Sequence, residues 1–138
     1  MSKTFNLFIS HSWTYGSEYD RLINLLNERS HFDFKNFSVP QNDPIHNASN
    51  QNELYEAIKK QISPCHLVII LAGVYASYSK WIDKEITIAK NEFIVPKPLL
   101  AIKPFGNDKV SLNAREKADL LVNWNTESIV AAIRDLCK

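Results

Sequence analysis

Glycine is scarce in this chain, with three residues among 138. Phosphate-cradling loops of the Walker and dinucleotide-binding kinds need glycines close together, because their backbone must approach the ligand. Neither pattern occurs. Cysteine is also sparse. Cys65 and Cys137 form no Cys-x-x-Cys pair and no metal spacing, and they read as buried thiols of a reducing compartment. His11, His31, His46 and His66 show no spacing suited to zinc. The longest apolar run, "LVIILAGVYA", is too short to span a bilayer. The formal net charge is +1 with no basic stripe, so a nucleic-acid footprint is not indicated. The opening "MSKTFNLFIS" enters a strand-like run at once and has no signal-peptide pattern. "NAS" at Asn47 matches a glycosylation sequon, which carries no weight without a secretory signal. Together these absences predict a cytoplasmic chain with no membrane and no nucleic-acid partner.

What is present is an apolar share of 45%, enough to build one sizeable core. Short apolar runs alternate with helix-like segments. "FNLFIS" (Phe5 to Ser10) reads as the first strand. "SEYDRLINLLNERS" follows with Leu22, Leu25, Leu26 and Arg29 at helical spacing and Ser17 as N-cap. "FKNFSV" (Phe34 to Val39) reads as the second strand. The polar segment "PQNDPIHNASNQ" has no periodicity. "NELYEAIKKQI" gives a helix with a stripe of Leu54, Ala57, Ile58 and Ile62, ended by Pro64. "HLVIILAG" is apolar throughout and reads as a central strand buried on both faces. "SKWIDKEITIAKNEF" is the third helix, and "PLLAIKP" and "ADLLV" are the last two strands. "FGNDKVSLNAREK" between them reads as a loop with one short helical turn. "TESIVAAIRDLC" closes the chain as an amphipathic helix capped by Asn125 or Thr126.

This alternation predicts one α/β domain over residues 1–138, a five-stranded parallel sheet of flavodoxin-like order 2-1-3-4-5 flanked by helices on both faces. Ligands of such sheets bind beyond the carboxyl ends of the strands, where the strand order reverses. That geometry singles out "SHSW" after strand one, "VPQNDP" after strand two and "GVYASYSKW" after strand three.

The third helix carries the most informative residue. Ile82, Ile86, Ala89 and Phe93 form its stripe, and Glu85 falls about 60° from the stripe centre. It is expected half-buried at the rim, one turn after Trp81. A carboxylate there is either paired with a nearby Lys or Arg, or used on a ligand. Ser10, His11, Ser12 and Trp13 leave strand one together, where turn and capping chemistry competes with ligand contact. Asp43, Pro44 and His46 lie in the longest polar loop, a place for function or for mere variability. Other chemistries fit poorly. A phosphoacceptor receiver needs an aspartate at the end of strand three, where "ILAG" stands. "SHSWTYGS" lacks a convincing flavodoxin phosphate loop, and no nucleophile elbow occurs.

The residues resemble a family at two points. "TFNLFISHSW" is similar to the first signature of TIR domains, an aromatic-apolar strand ending in Ile-Ser before a small polar loop. "CHLVIILAGVYASYSKWIDKEI" is similar to their third strand and following helix, where in NAD-cleaving members a Trp precedes a Glu by four residues. The resemblance covers most of the chain and comes closest to the stand-alone bacterial TIR-like proteins of the Thoeris antiphage system. It implies that Glu85 is catalytic and that Trp81 lines the pocket. It implies that Ser10, His11 and Trp13 contact nucleotide, with Asp43 and Pro44 in the loop that closes over the site. NAD would be the substrate, with no tightly bound cofactor and no metal. A cyclic or conjugated ADP-ribose product would signal to a separate effector protein, and the domain could self-associate. The Arg-Asp…Pro-Gly pattern of eukaryotic members and the C-terminal Phe-Trp signature are missing, with "VNWN" near the latter.

Two rival readings stand beside this one. The first is a non-catalytic TIR interaction module that works through its surfaces. The second is a nucleoside deoxyribosyltransferase-like enzyme, which shares the fold class and a ribosyl-cleaving glutamate, although the "FISHSW" opening disfavours it.

Overall fold

The computed structural model describes residues 4–10, 17–29, 32–37, 51–71, 80–103 and 112–137. In chain order the elements are β1 (Thr4–Ser10), α1 (Ser17–Glu28), β2 (Asp33–Asn36), α2 (Gln51–Ile62), β3 (Leu67–Leu71), α3 (Lys80–Asn91), β4 (Leu99–Ile102), α4 (Leu112–Lys117), β5 (Leu120–Val122) and α5 (Thr126–Leu136). The strands form one sheet in the order β2-β1-β3-β4-β5, and every pairing is parallel. This is the flavodoxin-like arrangement that the alternation predicts.

The pleat explains how the chain covers both faces. Side chains of a strand alternate between faces. Phe5, Leu7 and Ile9 of β1 point to one side with Leu67, Ile69 and Leu71 of β3 and Leu100 and Ile102 of β4. Leu22 and Leu26 of α1 and Ile129, Val130 and Ile133 of α5 cover that side. Phe8, Val68, Ile70, Leu99 and Ala101 point to the other, under Ile58 and Ile62 of α2 and Ile86, Ile88 and Ala89 of α3. All five residues of β3 are buried, as a strand covered on both faces requires. Each such Leu or Ile contributes about 1.5–3 kcal/mol on removal from water.

The strand ends show where the sequence reading shifts. β2 begins one residue before the expected Phe34, because Asp33 pairs with Thr4. It ends at Asn36, although the Phe37 N–H still donates to the Leu7 carbonyl at 2.8 Å; Ser38 and Val39 lie outside the described residues. β3 starts at Leu67 and not at His66, for a local reason. The His66 N–H donates to the Asn6 carbonyl at 2.8 Å, and the His66 Nδ1 accepts the Asn6 N–H at 3.0 Å. An imidazole nitrogen thus replaces a backbone carbonyl, and the ladder begins one residue later. α4 is the short helical turn expected between the last two strands. At α5 the two candidate caps resolve to Asn125, whose backbone is extended and whose Oδ1 accepts the Ser128 N–H at 3.0 Å. Cys65 and Cys137 are both buried, and neither is in a disulfide. Among the described residues no helix is long and apolar enough to cross a membrane.

Asp119, just before β5, ties three elements together. Its N–H donates to the Leu99 carbonyl at 2.8 Å, and its Oδ2 accepts the Leu99 N–H at 2.7 Å. The same oxygen accepts the Lys90 ammonium at 2.5 Å. We predict that Asp119→Ala costs about 1–3 kcal/mol in urea unfolding, because the Leu99 N–H loses its acceptor. Lys90→Met should cost less than about 1 kcal/mol, since the ion pair is half-exposed.

The seam between α2 and α3 has its own pH signature. The Tyr55 hydroxyl donates to the Glu92 carboxylate, which together with partial burial raises its pKa to about 12. Burial pushes the Cys65 thiol to about 12 as well, against a smaller opposing effect of Lys97. Both groups hold their protons more tightly when folded than when unfolded. Their stabilisation is therefore complete below the unfolded pKa values of about 9–10 and is lost as pH rises to about 12. Urea midpoints measured on the alkaline side should fall across that window, and Tyr55→Phe should flatten part of the fall.

Candidate functional site at the carboxyl edge

The register places the strand exits side by side. Ser10, the last residue of β1, pairs with Ile70 of β3, and Leu71 pairs with Ile102 of β4. The segments that leave β1 and β3 therefore start at one level on neighbouring strands, about 4.8 Å apart. β2 lies beyond β1 and β4 beyond β3. The strand order therefore reverses between these two exits, and a crevice opens at such a point.

α3 begins at this edge and runs back along the sheet. Glu85 lies in its second turn, about 7–8 Å along the axis from Lys80. Its residue is 4% exposed, and among the described residues it is the one charged residue in the buried class. The half-buried rim position expected from the sequence is thus corrected to full burial. The reason is Ile88, which the expected stripe omitted and which is fully buried. With about 100° per residue, Ile86, Ala89, Glu85 and Ile88 follow one another across one arc. Glu85 stands near the middle of that arc and not at its margin. Thr87, on the far side, is exposed.

This places a carboxylate in an environment of low dielectric, on the helix that starts at the edge where sheets of this order take ligands. Burial of an ionised group is costly unless polar partners or chemistry accompany it. Such groups collect at functional sites. The other residues named from the sequence are placed less fully. Ser10 and Trp81 are located by backbone alone, at the end of β1 and in the first turn of α3. The structure brings both to the edge where Glu85 sits. His11, Trp13, Asp43 and Pro44 lie outside the described residues. Among the described residues no group of three or more His, Cys, Asp or Glu side chains is arranged to hold a metal ion.

The fold is shared with a receptor domain of known structure. The chain superposes on the SEFIR domain of the IL-17 receptor B with a TM-score of 0.59 and 11% identity, covering 97% of this chain and 95% of that one. At that identity the likeness is one of fold alone. Comparison with curated protein sequences returns no match. The family profile described as "Thoeris protein ThsB, TIR-like domain" matches residues 8–109, and the chain belongs to this antiphage-defence family. The matched span contains Glu85 and every other site residue named from the sequence.

We predict that Glu85→Leu, similar in volume and apolar, leaves thermal stability unchanged or raises it by up to about 2 kcal/mol. Differential scanning calorimetry reads this directly. A large loss would mark Glu85 as a structural ion-pair partner.

Proposed function

We propose that this chain is a TIR-like enzyme that cleaves the nicotinamide–ribose bond of NAD and makes a nucleotide signal in antiphage defence. The observation that carries this reading is the burial of Glu85 in the second turn of α3, the helix that follows β3, in a sheet whose order reverses between β1 and β3.

The chemistry suits such a group. As the bond between the ribose C1′ and the pyridinium nitrogen breaks, nicotinamide leaves as a neutral molecule. Positive charge develops on C1′ and the ring oxygen, as in glycoside hydrolysis. A carboxylate held near that sugar stabilises the charge and accepts hydrogen bonds from ribose hydroxyls. It need not donate a proton, because the leaving group needs none. Trp81, one turn earlier on α3, supplies a flat wall for a ring and helps exclude water. Ser10, His11 and Trp13 contact the nucleotide from the end of β1, and Asp43 and Pro44 belong to the loop that closes the site. Attack on C1′ by water gives ADP-ribose, by an adenine nitrogen of the same molecule a cyclic isomer, and by another small nucleophile a conjugate. NAD is consumed as a substrate, and no resident cofactor or metal takes part. In this reading the enzyme works in the cytoplasm, and a separate effector protein senses the product.

The test is mass spectrometry of nucleotides after incubation of the purified protein with NAD, beside Glu85→Gln. Turnover should fall by at least about a hundredfold in the variant while its melting temperature is retained. Turnover equal to wild type would remove Glu85 from the catalytic role. The exposed Ile94 and Val95 also suit a non-catalytic interaction module. Such a module makes no product, and NAD analogues do not raise its melting temperature.

A further inference from the structure

The amino edge of the sheet, opposite to Glu85, carries the most exposed large apolar side chains of the described residues. Between α3 and β4, Ile94 is 103% exposed and Val95 75%. The segment is held firmly from behind. Pro96 and Pro98 restrict its backbone. The Lys97 N–H donates to the Ala89 carbonyl at 2.9 Å, and its ammonium donates to the carbonyls of Ser63 at 2.9 Å and Cys65 at 3.0 Å. The same ammonium lies 4.9 Å from the centre of the Phe93 ring. An apolar crest that is already ordered loses little entropy on docking.

A hollow adjoins this crest. It measures about 560 Å³ and is lined by Glu56, Lys59, Lys60, Ser63, Pro64 and Phe93. A projection and a recess on one surface are what a two-fold contact requires, since each copy then fills the other. The charges around the hollow agree. Lys59 pairs with Glu92 at 3.8 Å, and Lys97 is occupied by the two carbonyls. Glu56 and Lys60 remain, one turn apart on α2, both exposed, and in no ion pair among the described residues. They sum to zero charge. Two α2 helices placed antiparallel across a two-fold axis bring Glu56 of each copy against Lys60 of the other.

We propose that this face joins two copies of the chain into a two-fold dimer. Ile94 of each copy seats in the hollow of the other, against Phe93 and Pro64, and two Glu56–Lys60 pairs close the rim. The carboxyl edges of both copies stay open, so the contact is independent of any chemistry at Glu85.

Analytical ultracentrifugation of the full chain over a micromolar concentration series tests this, with thermal melts to confirm that each variant is folded. Wild type should show a monomer–dimer equilibrium. Ile94→Asp should raise the dimer dissociation constant at least about tenfold, because it removes the apolar side chain that packs against Phe93 and Pro64. Glu56→Lys and Lys60→Glu should each weaken the dimer, and the two combined should restore it, since the reversed charges again face their opposites. A wild type that stays monomeric throughout, an Ile94→Asp dimer as tight as wild type, or a double variant no tighter than either single one would each overturn the proposal.

Discussion

The structure depends on the burial of β3 from both sides. Its five residues have no polar face to show to water, so helices must cover the sheet above and below. α1 and α5 cover one face, and α2 and α3 the other. A parallel sheet covered in this way must change winding direction once, and here it does so between β1 and β3. The crevice is thus a by-product of packing. It exists before any residue in it is chosen for chemistry. The fold explains where ligands of such sheets lie, and Glu85 is buried in the second turn of the helix that starts at that edge.

Much of this arrangement was legible from residue patterns. Strand order followed from the alternation of strand-like and helix-like runs, and the central place of β3 from its unbroken apolar run. The Asn125 cap could be narrowed to two neighbours because both Asn and Thr accept a backbone N–H; only the extended backbone at Asn125 decides between them. Strand starts were less legible. Nothing in the letters of "CHLVIIL" says that a His66 nitrogen takes the place of a backbone acceptor and delays the ladder by one residue. Glu85 was found but misplaced. A stripe drawn at i and i+4 through Ile82, Ile86 and Ala89 leaves out Ile88, and one omitted isoleucine moves the centre of a helix face enough to turn a rim residue into a buried one. Of the loop residues around it, the pattern gave position along the chain and the family resemblance gave roles.

The two edges of the sheet differ in their polar groups. Toward the carboxyl edge α3 carries a buried acid in its second turn. At the amino edge the polar contacts are structural: Asp119 satisfies the start of β4, Lys97 ties the segment before β4 to the turn after α2, and Glu92 receives Tyr55 and Lys59. The thiol of Cys65, held protonated by burial and donating to the Gln61 carbonyl at 3.4 Å, belongs with these and not with reactive cysteines. The chain shares its fold with the SEFIR domain and its family with ThsB TIR-like proteins, and one scaffold can host unlike activities.

These contacts have a mechanical consequence for α3. Lys90, Glu92 and the Ala89 carbonyl are all gripped near the far end of the helix, through Asp119, Tyr55 with Lys59, and the Lys97 N–H. Glu85 lies near the middle of α3, about one turn before Ala89, and is itself buried, so the grip at the far end also fixes the turn that carries the acid.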